Sequence, residues 1–130
     1  MNEGMSVYSS FRVLVGLGAY GTSKAAVNIL TEYLKIELGK HQIAVGIVLP
    51  GIVDTNIQQQ LSNAECADII ERNNSLKTAG KLLSPAIVAK FLTWLLLDTD
   101  NESFSNGTWD IYDGKHHNKW SGGLTFPPLP

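Results

Sequence analysis

The stretch AYGTSKAAVNILTEYLKIELGKHQIAVGIVLPG, Ala19 to Gly51, carries three consecutive signals that decide the fold. From about Thr22 to Leu38, Ala26, Ile29, Leu30, Tyr33, Leu34 and Leu38 recur at steps of three and four, the period of one helix face. Gly39 is placed to stop that helix. Ile43 to Leu49 is a nearly continuous apolar run rich in β-branched residues, the pattern of a strand covered on both faces in a parallel sheet. Pro50-Gly51 ends it.

Outward from this stretch the alternation continues. Met5 to Ser9 is a weak strand candidate, diluted by glycine and serine. Beyond Gly51 the sequence is polar and irregular through Gly80, with short helices expected at Ile57 to Leu61 and Glu65 to Arg72. It reads as an excursion over an active-site face. Ser84-Pro85 supplies an N-cap and a first-turn proline for a helix to about Leu97, and Gly107 to Tyr112 a last short strand. Residues 115–130, with Pro127, Pro128 and Pro130, are expected to be an extended tail. Helical crossovers between strands predict an α/β fold with a parallel sheet and right-handed connections. About three strands make a partial Rossmann-like sheet, since a complete doubly wound one has about six.

Composition bounds the function. At 130 residues and 44% apolar content, one globular core is expected. Ten basic against twelve acidic residues leave a net charge of -2, without the basic stripe of a nucleic-acid binder. Ala86 to Leu97 is interrupted by Lys90 and falls short of the roughly 20 apolar residues a membrane span requires. The single cysteine, Cys66, forms no internal disulfide, and the start resembles no secretion signal, so a cytoplasmic protein is expected. His41, His116 and His117 have no accompanying carboxylate-cysteine cluster, so no metal site is expected and the histidine pair reads as part of a solvated tail. Cys66 has no histidine near it in sequence and is not read as a nucleophile. Trp94 reads as core, and Trp109 and Trp120 as packing at a subunit contact.

Tyr20 and Lys24, four residues apart at the start of the long helix, share one face. An ammonium about 4 Å from a phenolate stabilises it by about 4 kcal/mol at an effective dielectric near 20. A tyrosine so placed in a partly dry site can give a proton to a carbonyl oxygen or take one from an alcohol. Spacing alone does not establish this role, because such pairs occur by chance on many helices.

The surrounding residues narrow the reading. Ala19-Tyr20-Gly21-Thr22-Ser23-Lys24-Ala25-Ala26 resembles the Tyr-x-x-Ser-Lys-Ala-Ala helix start of the short-chain dehydrogenase/reductase family. Pro50-Gly51-Ile52-Val53-Asp54-Thr55, 26 residues beyond Lys24, resembles that family's turn facing the nicotinamide, and it sits where open α/β sheets bind ligands. Asn106 to Gly114 resembles the closing strand. The resemblance implies an NAD(P)(H)-dependent oxidoreductase with Tyr20 as acid-base. It places Lys24 on the nicotinamide ribose, the Val53 backbone on the carboxamide, and Thr55 on the carboxamide or pyrophosphate. The family also places a serine about thirteen residues before the tyrosine as an oxyanion-type donor. That position is Val7 here, which leaves Ser6 and, with a loop shortened by two or three residues, Ser9 or Ser10, with Ser6 ranked before Ser10.

Gly16 to Tyr20 together with Trp109 to Asp113 is similar to the sepiapterin and benzil reductase branch. The glycine-rich cofactor turn, the Asn-Asn-Ala-Gly strand and the active-site asparagine are not among these residues. The resemblance therefore implies that the chain is the C-terminal half, with the cofactor-binding half upstream of residue 1. By itself it is expected not to hold a whole dinucleotide. NADP ranks before NAD as cofactor, a small carbonyl or alcohol is the expected substrate, and the 22–38 helix is expected to pair with a second copy or a partner chain. Two alternatives stay open: a sugar-nucleotide epimerase or dehydratase, for which the C-terminal region is short, and a non-catalytic fragment acting as an interaction module.

Overall fold

The computed structural model describes residues 16–56, 60, 66–124 and 126. Its elements are α1 (Gly18–Gly39), β1 (Ile47–Leu49), α2 (Ala67–Thr78), α3 (Pro85–Leu97), α4 (Asn101–Asn106), β2 (Thr108–Asp110), a 3-10 turn (Gly114–His116) and α5 (His117–Trp120). β1 and β2 form a two-stranded parallel sheet, so the chain has the expected mixed α/β character. The strand candidate at Met5 to Ser9 lies outside the described residues, as does most of the short helix expected at Ile57 to Leu61. No described helix is long and apolar enough to cross a membrane. The chain divides into two compact units.

The first unit comprises Met1–Leu49 and Thr99–Trp109. α1 begins a turn earlier than the apolar period predicts and runs through Gly39. The stop lies at Gln42, which takes the left-handed φ of 60° that a glycine would adopt more easily, while the Ile43 amide closes back onto the Leu38 carbonyl at 3.2 Å. The strand is shorter than Ile43 to Leu49, and Ile43 is exposed. Residues 44–49 are half-buried rather than covered on both faces, because β2 is the single paired neighbour among the described residues. α4, absent from the sequence reading, is capped by Asp100. Its carboxylate accepts from the Ser103 amide and hydroxyl at 2.8 and 2.7 Å, and these bonds hold it below the usual carboxylate range. α4 packs on the approach to β1. Ser105 Oγ accepts the Val45 amide at 3.1 Å, and a Cβ at Gly46 would stand 2.7 Å from the Phe104 carbonyl oxygen, so only glycine fits there.

None of the described residues of this unit is buried. Much of the expected apolar face of α1 is in the open, with Ile29, Leu30 and Tyr33 each more than half exposed and Val27 and Ile36 beside them, while Leu34 and Leu38 are half-buried.

The second unit comprises Pro50–Asp98 and Asp110–Pro130, and every buried residue described in the chain belongs to it. Ser84 caps α3 by accepting the Ile87 amide at 3.4 Å, with Pro85 in the first turn as the sequence predicts. α3 turns Val88, Phe91, Trp94 and Leu95 inward, where Ile69 and Leu76 of α2 are also buried. Asn73, which reads as a loop residue, is buried on α2.

The expected extended tail is corrected. Residues 114–120 fold into the 3-10 turn and α5, and α5 packs on α3. His116 is buried rather than solvated, its ring stacked on Phe91 and Trp94 at centroid distances of 5.3 Å each. Trp120, expected at a subunit contact, is buried in the same cluster, and its indole N–H donates to His116 Nδ1 at 2.9 Å. That donation leaves the proton on Nε2, which faces the Asp110 carbonyl at 2.9 Å.

Burial holds the His116 pKa below its ordinary value, against the opposing pull of the Asp110 carbonyl and the Asp113 carboxylate. The unfolded chain therefore takes up the proton first as pH falls, so stability is greatest above about 6.5 and declines below it. Urea midpoints should fall between pH 7.5 and 5.5, and less so in His116→Phe. An equal fall in the variant would assign the effect to other groups.

Candidate active site

Tyr20 and Lys24 lie within α1 rather than at its first residue, one helical turn apart. Lys24 Nζ stands 5.5 Å from the Tyr20 ring centroid, a cation-π contact that keeps ammonium and phenol on the same side of the helix. Ser23 donates to the Tyr20 carbonyl at 2.7 Å, so its hydroxyl is spent on the helix. Tyr20 is half exposed, and among the described residues Lys24 has no carboxylate partner. The pair belongs to the first unit. Ser6 and Ser10 lie outside the described residues.

The turn at Pro50 to Thr55 belongs to the second unit. Gly51 has a φ of +78°, and a Cβ there would meet Leu83 and Tyr112 at 2.8 Å, so both backbone and packing require glycine. Val53 forms a parallel bridge with Leu83. The Leu83 amide donates to the Ile52 carbonyl at 2.8 Å and the Asp54 amide to the Leu83 carbonyl at 2.9 Å. Because those bonds flank Val53, its own N–H and C=O point to the opposite side. Thr55 is exposed and its hydroxyl reaches the Val53 carbonyl at 3.5 Å.

Leu83 and Tyr112 hold this turn and were not legible as functional residues. The legible signal was the closing Trp109-Asp110-Ile111-Tyr112 segment, whose aromatic residue follows a carboxylate able to cap it. Tyr112 accepts the Ile52 amide at 3.4 Å, and its own amide donates to Asp110 Oδ1 at 3.0 Å. Burial raises the pKa of both the Asp110 carboxyl and the Tyr112 phenol. No group of three or more potential metal ligands occurs among the described residues. Cys66, half-buried at the N-cap of α2, is in no disulfide.

With this geometry in view, residues 4–114 match the family model described as enoyl-(acyl carrier protein) reductase. The chain belongs to the short-chain dehydrogenase/reductase family. It is 42% identical over 96 residues to benzil reductase ((S)-benzoin forming) of Bacillus cereus, covering 71% of this chain and 37% of that protein. It is 33% identical over 90 residues to a vibriobactin-specific 2,3-dihydro-2,3-dihydroxybenzoate dehydrogenase of Vibrio cholerae, covering 65% and 34%. In structure it is similar to the KRED1-Pglu enzyme, with a TM-score of 0.66 and 27% identity over 79% of this chain and 43% of that one. The chain thus spans less than half the length of these relatives. The similarity includes the benzil reductase-like branch of the family, in line with the resemblance of Gly16 to Tyr20 and Trp109 to Asp113.

Proposed function

We propose that the protein is an NAD(P)(H)-dependent oxidoreductase that interconverts a carbonyl and an alcohol, with Tyr20 as the acid-base group. The observation that carries this reading is the Lys24 ammonium held 5.5 Å from the Tyr20 ring on one face of α1. Membership of the short-chain dehydrogenase/reductase family supports oxidoreductase chemistry.

Each unit by itself carries polar groups of the kind a nicotinamide nucleotide takes. Lys24, without a carboxylate partner among the described residues, is available to ribose hydroxyls. The Val53 backbone, turned away from Leu83, and the exposed Thr55 hydroxyl suit the carboxamide. The cofactor supplies the hydride when bound. Tyr20 then delivers its proton to the substrate oxygen in reduction and recovers one in oxidation. The Bacillus cereus relative makes an aromatic ketone the first substrate to test, with benzil as the probe.

Lys24→Ala is expected to weaken binding of reduced nicotinamide mononucleotide by on the order of 10-fold, since a charged hydrogen-bond donor to the ribose is lost. Chemical-shift titration of the chain measures it. Unchanged affinity would remove Lys24 from the ribose.

A further inference from the structure

Tyr112 touches the Pro50–Thr55 turn at two consecutive residues. Its ring edge fills the space that a Gly51 Cβ would occupy, and its hydroxyl accepts the Ile52 amide at 3.4 Å. Leu83 fastens the same turn through the two bonds flanking Val53. Tyr112 is itself held. Asp110 takes its amide, His116 and His117 reach the carbonyls of Asp110 and Ile111 at 2.9 and 2.7 Å, and Phe126 meets its ring edge-on at 6.3 Å.

We propose that Tyr112 is a positioning residue for the nicotinamide-facing turn: seated on the Asp110/His116/His117 platform, it sets the placement of Val53 and Thr55 through Gly51 and Ile52. The proposal rests on the reading that this turn meets the nicotinamide. The hydroxyl bond is long and contributes modestly, whereas the ring edge on Gly51 carries more of the restraint. Tyr112→Phe removes the first alone, and Tyr112→Leu removes both.

The test combines amide hydrogen exchange at Ile52 and Asp54 with titration of reduced nicotinamide mononucleotide, on the full chain. In Tyr112→Phe the Ile52 amide should exchange about 3- to 10-fold faster, as loss of one net hydrogen bond implies, and the affinity should fall by a similar factor. Asp54, bonded to Leu83, should keep its rate and the melting temperature should hold. Tyr112→Leu should enlarge both effects. Unchanged Ile52 exchange in both variants overturns the proposal. So does equal acceleration of Ile52 and Asp54 in Tyr112→Phe, which would mean a general packing role, and so does a loosened Ile52 with unchanged affinity. Absence of saturable binding by the unsubstituted chain would instead remove the nicotinamide reading, and the exchange rates would still decide whether Tyr112 holds the turn.

Discussion

Tyr20→Phe should lower turnover by about 100-fold or more in intact, catalytically active protein, because it removes the transferable proton and nothing else. The ring remains, and with it the contact to the Lys24 ammonium at 5.5 Å. Tyr20 is half exposed and buries little, so the fold has little to lose. The expected signature is a large fall in kcat for benzil reduction with an unchanged melting temperature and unchanged nicotinamide nucleotide affinity. Near-normal kcat would end the acid-base assignment. A matching loss of affinity would make Tyr20 a binding group instead.

Phe91→Ala should destabilise the second unit by about 3–5 kcal/mol, the usual cost of truncating a fully buried phenylalanine. Phe91 is wholly inaccessible, and its ring lies 5.3 Å from that of His116, 5.0 Å from Trp120 and 6.2 Å from Trp94. Removing it opens a cavity in the middle of the aromatic cluster and frees the His116 ring, which reaches the Asp110 carbonyl, and the Trp120 ring, which donates to His116. Against a typical total of about 5–15 kcal/mol, the loss is large enough to unfold a marginal unit. Ile29→Ala on α1 serves as the contrast: with Ile29 59% exposed, little burial is lost there. Urea unfolding followed by tryptophan fluorescence measures both, and a loss under about 1 kcal/mol for Phe91→Ala would contradict the assigned core.

Local chemistry was legible in the sequence. The 3.6-residue period marked α1, and Ser84-Pro85 marked the start of α3, because a capping hydroxyl and a proline at the first position act within one turn of backbone. Tyr20 and Lys24 were legible for the same reason: four residues on a helix place two side chains together whatever the rest of the chain does. The Pro50-Gly51 turn was equally local. Helix ends were less so, since Gln42 rather than Gly39 adopts the left-handed conformation, and the short α4 rests on a single Asp100 cap.

What required tertiary structure was everything set by residues distant in sequence. The period of α1 predicted an apolar face, yet burial is a property of what lies against that face, and among the described residues none of α1 is buried. His116 and His117 carry no local sign of burial. His116 is drawn in by Phe91 and Trp94 of α3, by the acceptor it offers Trp120 and by the Asp110 carbonyl, and His117 reaches the Ile111 carbonyl. Tyr112 meets Ile52 across 60 residues of chain. Sequence alone therefore determined α1, the start of α3, the spacing of Tyr20 and Lys24 and the family resemblance. Folding decided which apolar faces are covered and which residues hold the Pro50–Thr55 turn, because close packing and buried hydrogen bonds depend on partners that local spacing does not specify.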